Sequence, residues 1–446
     1  MDWKGKKIVV VGLGASGVAA ARLGLRRGAC VVGTDRKAAA DLSEGGRALV
    51  NEGATLSVGG HAAAGLDKAD LIVISPGVPS FAELEAAERA GVPVIGEIEM
   101  AVRCLREPAP VVAVGGTNGK STTTSLIAAM LEAQGVRTFA GGNLGEPLAD
   151  HVDERFGAVV LEVSSFQMER APTFKPRVSV LLNISEDHLD RYPSFEAYAH
   201  AKGNAFAQQM ADDIAIVPAQ DAACLRQAQR GKARIVTFGP GGTIDVVGNA
   251  VVDTRSGERY ARSEITLAGG HNALNVAAAV AASTALGVQP EAIRRVLRAF
   301  RGLPHRMVLV RELRGVRYYD DSKGTNVGAV VTALAGITEA KAVVIAGGRD
   351  KGGSYAPLVD ALAQKGRAAV LIGEAADALA GAIGEAIPIR RARTLDEAVR
   401  ISAELARPGD AVLLSPACSS YDMFRDYKHR GDEFVRAVNA LEGGSS

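Results

Sequence analysis

Short apolar runs rich in valine and isoleucine alternate with alanine-rich stretches of helical character along the chain. This alternation marks parallel sheets covered by helices, whose strands are buried on both faces and so read as continuous apolar runs. It predicts strands at residues 8–11, 71–75, 111–115, 159–163, 178–182, 343–346, 369–372 and 412–415, and helices at 16–27, 120–134, 272–286 and 395–405. Between about residues 243 and 267 the rhythm becomes one of short alternating segments broken by glycine, which predicts a small antiparallel meander.

Two breaks divide the pattern. Glu107-Pro108-Ala109-Pro110 is a stiff step just before a new strand, and Gly302-Leu303-Pro304 follows a helix ending near Phe300. The expected architecture is α/β, with three consecutive domains: a Rossmann-like N-terminal domain (1–106), a P-loop, ATPase-type central domain carrying the meander (107–302) and a Rossmann-like C-terminal domain (303–446). A length of 446 residues agrees with about three domains at roughly 100–200 residues each.

Charge and cysteine usage narrow the function classes. With 51 basic and 50 acidic residues the net charge is +1, which gives no global footprint for nucleic acid or a membrane surface. Binding to nucleic acid is not expected, nor is membrane insertion, since no stretch reaches the roughly 18 apolar residues of a span. The opening MDWKGKKIVVVGLG reads as a first strand and turn, not as a signal peptide. Cys30, Cys104, Cys224 and Cys418 are scattered and form no CxxC, which fits a reducing, cytoplasmic setting.

Two glycine-rich turns carry candidate chemistry. Gly12, Gly14 and Gly17 form G-x-G-x-x-G after a strand and before a helix, with Asp35 at the end of the next strand. Glycines let the backbone approach a pyrophosphate, the helix N-terminus attracts its charge, and the acid can accept hydrogen bonds from a sugar or base. The candidate contacts to a nucleotide diphosphate are Gly12, Leu13, Gly14, Ala15 and Ser16 on the turn and Asp35 and Arg36 beyond it. Ser75 and Gly77, after a later strand, either add to this pocket or make a plain turn. A ligand-free turn and a dinucleotide-dependent dehydrogenase remain alternatives, although nothing downstream supplies a hydride-transfer site.

The second turn runs Gly115-Gly116-Thr117-Asn118-Gly119-Lys120-Ser121-Thr122 between a strand and a helix. It is close to Walker A, but Val114 stands where the usual first glycine would be. Its backbone N–H groups can cradle phosphates, Lys120 can neutralise the β/γ oxygens, and the Ser121 hydroxyl can reach Mg²⁺. ATP or GTP binding is the expectation.

The short form Gly-Thr-Asn-Gly-Lys-Ser-Thr resembles the Mur ligase and folylpolyglutamate synthase superfamily. Further stretches carry the likeness in order along the whole chain: Gly141-Gly142-Asn143-Leu144-Gly145, Leu161-Glu162-Val163-Ser164-Ser165-Phe166-Gln167, Asn183-Ile184-Ser185-Glu186-Asp187-His188-Leu189-Asp190, Gly270-His271-Asn272, Leu303-Pro304-His305-Arg306 and Asp321-Ser322-Lys323-Gly324-Thr325-Asn326. The resemblance implies an ATP-dependent ligase that phosphorylates a carboxylate and lets an amine displace the phosphate. Ser164-Ser165-Phe166-Gln167 and Ser415-Pro416-Ala417-Cys418-Ser419-Ser420 resemble the branch that adds D-glutamate to UDP-N-acetylmuramoyl-L-alanine, and the Asp-Asn-Pro-Arg signature of the diaminopimelate-adding branch is absent. Tyr421 and Tyr427 depart from the residues often found at those positions, which leaves the fine shape of the glutamate pocket open.

The resemblance also implies roles. Glu162, at a strand end, becomes a Mg²⁺ ligand where a solvated acid is the plainer reading. His188 becomes a ligand of a second Mg²⁺ and a substrate contact, with Asp187 and Asp190 readable as turn caps. Lys202 becomes a carbamylated lysine, its anionic group holding Mg²⁺ or a water on it; a solvated helical lysine is the alternative, and carbamylation needs a partly desolvated amine or nearby cations. Asn143 becomes a contact to the UDP substrate and Asn272 to adenine. Arg306 reaches the γ-phosphate, Asp321 the ribose hydroxyls, and Lys323 neutralises transferred charge; caps or surface pairs are the plainer readings. Thr325, Lys351, Ser420, Tyr421 and Tyr427 are candidates for the incoming amino acid. The implied partners are ATP, two Mg²⁺ ions, UDP-N-acetylmuramoyl-L-alanine and D-glutamate, with a monomeric chain whose domains close on them. A folate-extending ligase and a non-catalytic nucleotide switch stay as alternatives. The glycine-rich domain ahead of the phosphate loop favours a UDP-carrying substrate over the first, and the set Glu162, His188 and Lys202 disfavours the second.

Overall fold

The computed structural model describes residues 3–442 apart from 249 and 268. The first sheet contains β1 (Lys7–Val11), β2 (Cys30–Asp35), β3 (Thr55–Val58), β4 (Leu71–Ile74) and β5 (Val94–Gly96), all parallel, in the order β3-β2-β1-β4-β5. The order reverses between β1 and β4, so the carboxyl ends of these strands open onto a crevice suited to a ligand.

The second sheet has nine strands: β6 (Val111–Gly115), β7 (Thr138–Gly142), β8 (Ala158–Glu162), β9 (Val178–Leu181), β10 (Ile214–Pro218), β11 (Arg234–Phe238), β12 (Ile244–Val247), β13 (Ala250–Asp253) and β14 (Glu258–Tyr260). Its order is β14-β13-β12-β11-β10-β9-β6-β8-β7, with β6 flanked by β8 and β9. The third sheet holds β15 (Val308–Leu313), β16 (Val316–Asp320), β17 (Ala342–Gly347), β18 (Gly366–Ile372), β19 (Ile389–Arg391) and β20 (Ala411–Leu414) in the order β15-β16-β20-β17-β18-β19.

The chain gathers into two compact units. The first comprises the described residues of Met1–Ile184, Ala199–Glu264 and Asn275–Arg298; the second those of Ser185–Tyr198, Ile265–Leu274 and Ala299–Ser446. The first two sheets belong to the first unit and the third sheet to the second.

Period-two burial explains the layers. Ile8 and Val10 face one apolar cluster while Val9 and Val11 face another, so β1 is covered on both sides. In the third sheet Ala342, Val344 and Ala346 pack on one face, and Val343 and Ile345 on the other. Each such side chain is almost fully buried, worth about 1.5–3 kcal/mol for the larger apolar residues.

All eight expected strands and four expected helices are present, within a few residues at their ends. The meander takes the form of β12–β14, antiparallel to one another. It is not a separate element: β12 pairs in parallel with β11 and continues the central sheet. The third sheet is parallel except at one edge, where β15 and β16 form an antiparallel hairpin. Its two turn residues, Arg314 and Gly315, both have positive φ (53° and 73°), the conformation that matches a two-residue turn to the strand twist.

Candidate active site

In the first unit the glycine-rich turn is built by close approach. A Cβ on Gly17 would lie 1.8 Å from the Gly12 carbonyl oxygen, so the helix Ala15–Arg26 can meet β1 only with glycine there. Gly14 opens onto free space. Asp35 braces this turn: one carboxylate oxygen accepts from Leu13 N–H (2.8 Å) and the other from Lys37 N–H (2.9 Å). The Ser75 hydroxyl donates to the Gly12 carbonyl (2.8 Å) and so ties the turn to the strand end after β4.

The phosphate loop follows β6. Gly116 and Gly119 have φ of 143° and 87°. The loop is braced by Asn183, whose carbonyl accepts from Thr117 N–H, whose side-chain oxygen accepts from Asn118 N–H (2.9 Å) and whose amide donates to the Asn118 carbonyl (3.0 Å). Lys120 lies across the loop, donating to the Gly116 and Thr117 carbonyls (2.8 Å each). Ser121 and Thr122 are buried at the start of the helix Lys120–Ala133. Lys202, from the helix Phe195–Ala207, is only 6% exposed and also donates to the Gly116 carbonyl (2.9 Å).

Glu162 ends β8 and is 2% exposed. Asn143 is strapped to it: its side-chain amide donates to Glu162 Oε1 (2.6 Å) and its backbone N–H to the Glu162 carbonyl (2.9 Å). Ser164-Ser165-Phe166-Gln167 turns out to be a capping box, in which Ser164 and Gln167 satisfy each other's backbone N–H groups at the start of the helix Ser165–Glu169.

In the second unit a cavity of about 260 Å³ opens beside Lys351 and Thr325. Lys351 Nζ lies 3.4 Å from Thr325 Oγ1 and 3.5 Å from Asp187 Oδ1, and Asn326 donates to Asp187 Oδ2 (3.3 Å). Glu186 and Asp350 add carboxylates to the rim, and Val327, Val331 and Tyr355 line an apolar side. His188 has a left-handed backbone (φ 56°), and its Nε2 lies 3.8 Å from Asp187 Oδ2.

Asp321 is buried and accepts from Ser415 Oγ (2.8 Å); burial pushes its carboxyl up to about 7, against the pull of Ser415 and Arg306. Burial lowers the His271 pKa, and Arg306 lowers it further. Lys323 sits over the Tyr427 ring, 3.7 Å from its centroid. Ser420 is 2% exposed whereas Tyr421 is 69% exposed. The structure thus brings Thr325 and Lys351 together at the cavity, while Ser420, Tyr421 and Tyr427 do not line it.

Several residues of evident importance received no functional role in the sequence, Asp187 being read only as a turn cap. Asn183 and Asp187 lay inside recognised stretches, but which of several polar neighbours turns inward is a tertiary matter. Asn275 packs against Gly119, where a Cβ would meet its Oδ1 at 2.2 Å. Arg430 is fully buried and donates to the Ser322 hydroxyl and carbonyl (3.0 and 2.8 Å) and to the Cys418 carbonyl (3.2 Å). No local pattern distinguishes it from Arg436, the exposed arginine of the same helix.

Comparison with known proteins adds a second line of evidence. Residues 6–96 match the family model "Mur ligase MurD-like, N-terminal domain", 114–283 "Mur ligase middle domain" and 305–418 "Mur ligase, glutamate ligase domain". The chain is 44% identical to the UDP-N-acetylmuramoylalanine--D-glutamate ligase of Desulfosudis oleivorans, over all of this chain and 98% of that protein. The chain belongs to the Mur ligase family. The Geobacter metallireducens Mur ligase of the same name is 45% identical, covering all of this chain and 99% of that one. A solved Mur ligase, UDP-N-acetylmuramate-alanine ligase MurC from Thermotoga maritima, shares the fold with a TM-score of 0.63 at 21% identity, over 98% of this chain and all of that one.

Among the described residues no three His, Cys, Asp or Glu side chains form a metal cluster. The Glu162 carboxylate and Ser121 hydroxyl are hard oxygen donors of the kind Mg²⁺ prefers, and a carbamate on buried Lys202 would add two more oxygens. The donor chemistry in the first unit therefore fits the ion.

Proposed function

We propose that this Mur ligase joins D-glutamate to UDP-N-acetylmuramoyl-L-alanine at the expense of ATP, in the synthesis of the peptidoglycan precursor. The relatives that match the whole chain at 44–45% identity carry that activity in their names. The observation that carries the reading is the convergence of Lys120 and Lys202 on the Gly116 carbonyl, inside a glycine loop that follows a buried strand.

In this reading residues 1–106 bind the UDP substrate, 107–302 bind ATP, and 303–446 bind the amino acid. The turn Gly12–Ser16, with Asp35, Arg36, Ser75, Gly77, Asn143 and His188, receives the UDP substrate. The loop Gly115–Thr122 receives the triphosphate, with Asn272 at adenine, Asp321 at the ribose, and Arg306 and Lys323 at the transferred charge. Lys351 and Thr325 draw in the glutamate carboxylates at the cavity; Ser420, Tyr421 and Tyr427, proposed for the same amino acid, lie outside that cavity's lining. A cation beside hydroxyl donors suits a dicarboxylic amino acid.

Phosphoryl transfer requires positioning and charge neutralisation more than covalent work by the protein. Lys120 screens the β/γ oxygens while the alanine carboxylate oxygen attacks the γ-phosphorus in line and ADP departs. The amine of D-glutamate then attacks the acyl-phosphate carbonyl, and the tetrahedral intermediate expels inorganic phosphate to leave the amide. Ser121, Glu162, His188 and a carbamylated Lys202 would hold Mg²⁺, which would supply further charge stabilisation. Lys202 serves best as a carbamate because an ammonium this buried and this near Lys120 is disfavoured, and reaction with CO₂ replaces it by an anion.

The test is phosphate release by the purified protein with ATP, Mg²⁺, UDP-N-acetylmuramoyl-L-alanine and a panel of amino acids, scored by product mass. The expected product is the D-glutamate adduct. ADP formation with no amide product, or equal use of other amino acids, overturns the reading.

A further inference from the structure

One peptide unit in the first unit is gripped from both sides by charged side chains that the reaction does not use. Ala149 lies in the turn Leu148–Asp150, which closes the loop begun by Asn143. Its N–H donates to Glu97 Oε1 (2.7 Å) and its carbonyl accepts from Arg26 Nη2 (2.6 Å). Glu97 opens the helix Glu97–Arg103 directly after β5, and Arg26 ends the helix that starts at the glycine-rich turn.

Glu97 is 3% exposed. An acid so buried, with a single backbone donor, is held there at a cost that an apolar residue would avoid. Burial pushes its carboxyl up to about 7, opposed by the Ala149 N–H and reinforced by Asp150. Around this junction stand Asp150 on the turn and Arg22 and Arg26 on the helix Ala15–Arg26, while Glu99 and Arg103, on the helix of Glu97 itself, pair with each other. Arg26 is itself steadied by Asp153 (3.4 Å), which also pairs with Arg27 (2.6 Å).

We propose that Glu97 and Arg26 clamp the Ala149 peptide and thereby position Asn143 against Glu162. The loop between them is tied at both ends. Asn143 makes its two bonds to Glu162 at one end, and the clamp holds Ala149 at the other. Gly142 leaves little slack, since a Cβ there would lie 2.7 Å from the Glu162 carbonyl oxygen. Through Arg26 the same peptide is joined to the helix that begins at the diphosphate turn, so Glu97 and Arg26 are positioning residues for the UDP substrate. The kinetic consequence rests on the ligase reading; the clamp itself does not.

The experiment compares full-length protein with Glu97→Ala, Glu97→Gln and Arg26→Ala, by amide hydrogen exchange over residues 143–150 without substrates and by steady-state kinetics. Glu97→Ala is expected to speed exchange of the Ala149 amide about tenfold and raise KM for UDP-N-acetylmuramoyl-L-alanine by a similar factor, the worth of about one hydrogen bond. KM for D-glutamate stays as it was. Glu97→Gln keeps an oxygen that accepts from Ala149 and is expected to restore both values to within about twofold. Unchanged exchange in Glu97→Ala, or an equal rise in both KM values, overturns the clamp. Should Glu97→Ala not fold, Arg26→Ala must raise exchange in the same segment, and its failure to do so overturns the clamp equally. A wild-type protein without ligase activity sinks the proposed reaction, while the exchange measurement still decides the clamp.

Discussion

Lys120 and Lys202 donate to the same backbone oxygen, that of Gly116. Two ammonium groups so placed repel each other, and Lys202 is the buried partner. Carbamylation of Lys202, as proposed above, would relieve the repulsion. Native mass measurement at neutral pH in bicarbonate is therefore expected to show a fraction of protein heavier by one CO₂, lost on acidification and absent from Lys202→Ala. The same variant should lower turnover by about 10²-fold or more, the scale of removing one electrostatic stabiliser. Full activity in Lys202→Ala would count decisively against the assignment.

Gly119 has φ of 87°, and a Cβ there would meet Asn275 Oδ1 at 2.2 Å and Leu182 Cδ1 at 3.1 Å. Gly119→Ala must therefore strain the backbone and also push Asn275 away. A destabilisation of about 1–3 kcal/mol is expected from the conformation, together with loss of nucleotide affinity as the loop deforms. Thermal unfolding and ATP titration check the two effects. An Ala variant with wild-type values in both would show that the loop relaxes freely.

The recognisable motifs fell where chain geometry is local. The strand–loop–helix around Gly119-Lys120-Ser121 and the turn at Gly12–Gly17 were legible because glycine spacing and apolar runs encode them directly. The same holds for the three sheets, whose strands are continuous buried runs such as Val343–Ile345 flanked by turns. What sequence spacing did not show was which polar side chains meet after folding. Asn143, a candidate substrate contact, also bonds Glu162; Ser75, which either adds to the pocket or makes a plain turn, donates to Gly12; Ser164 and Gln167 cap a helix. Arg430 and Glu97 gave no local signal because burial of a charge is decided by distant segments, Ser322 and Cys418 for one and Ala149 for the other. The edge pairing of β12 with β11 was likewise invisible, since an alternating segment does not say which strand it will extend.

Lys351 lies between Asp187 and Thr325 at the cavity of the second unit. Lys351→Ala removes the cation proposed for the glutamate carboxylates and leaves Asp187, only 7% exposed, without that ammonium. KM for D-glutamate is expected to rise about tenfold to a hundredfold, the worth of one or two charge-assisted hydrogen bonds, with KM for ATP little changed. Equal increases for both substrates would remove Lys351 from the amino-acid site.

Arg430 offers a stability test. Its guanidinium, fully buried, satisfies two carbonyls and a hydroxyl, and burial lowers its pKa to about 10. Arg430→Met keeps much of the volume but leaves the Ser322 and Cys418 carbonyls without this donor. A loss of about 1–3 kcal/mol for each such group is expected. Urea unfolding measures it, and a variant as stable as the parent would mean that water or a local shift replaces the donor.

Glu97 and Asp321 make stability depend on pH in an unusual direction for acids. Both carboxyls lie near 7 in the folded chain, against 4.5 and 3.8 for the free groups, and burial is the main cause in each case. Between those limits the unfolded chain has released the proton while the folded chain retains it. The unfolded state therefore binds fewer protons, and stability falls as pH rises from about 4 to about 7, levelling off above. Each acid contributes a loss on the order of 3 kcal/mol across that window, at about 1.4 kcal/mol per pH unit. Glu97→Gln has no proton to release at this position. Its stability relative to the parent should accordingly increase by about 2–3 kcal/mol between pH 5 and pH 8, measured by urea unfolding at each pH. A gap that stays constant over that range would mean that Glu97 ionises in the fold as it does in the unfolded chain, its neighbours offsetting what burial costs.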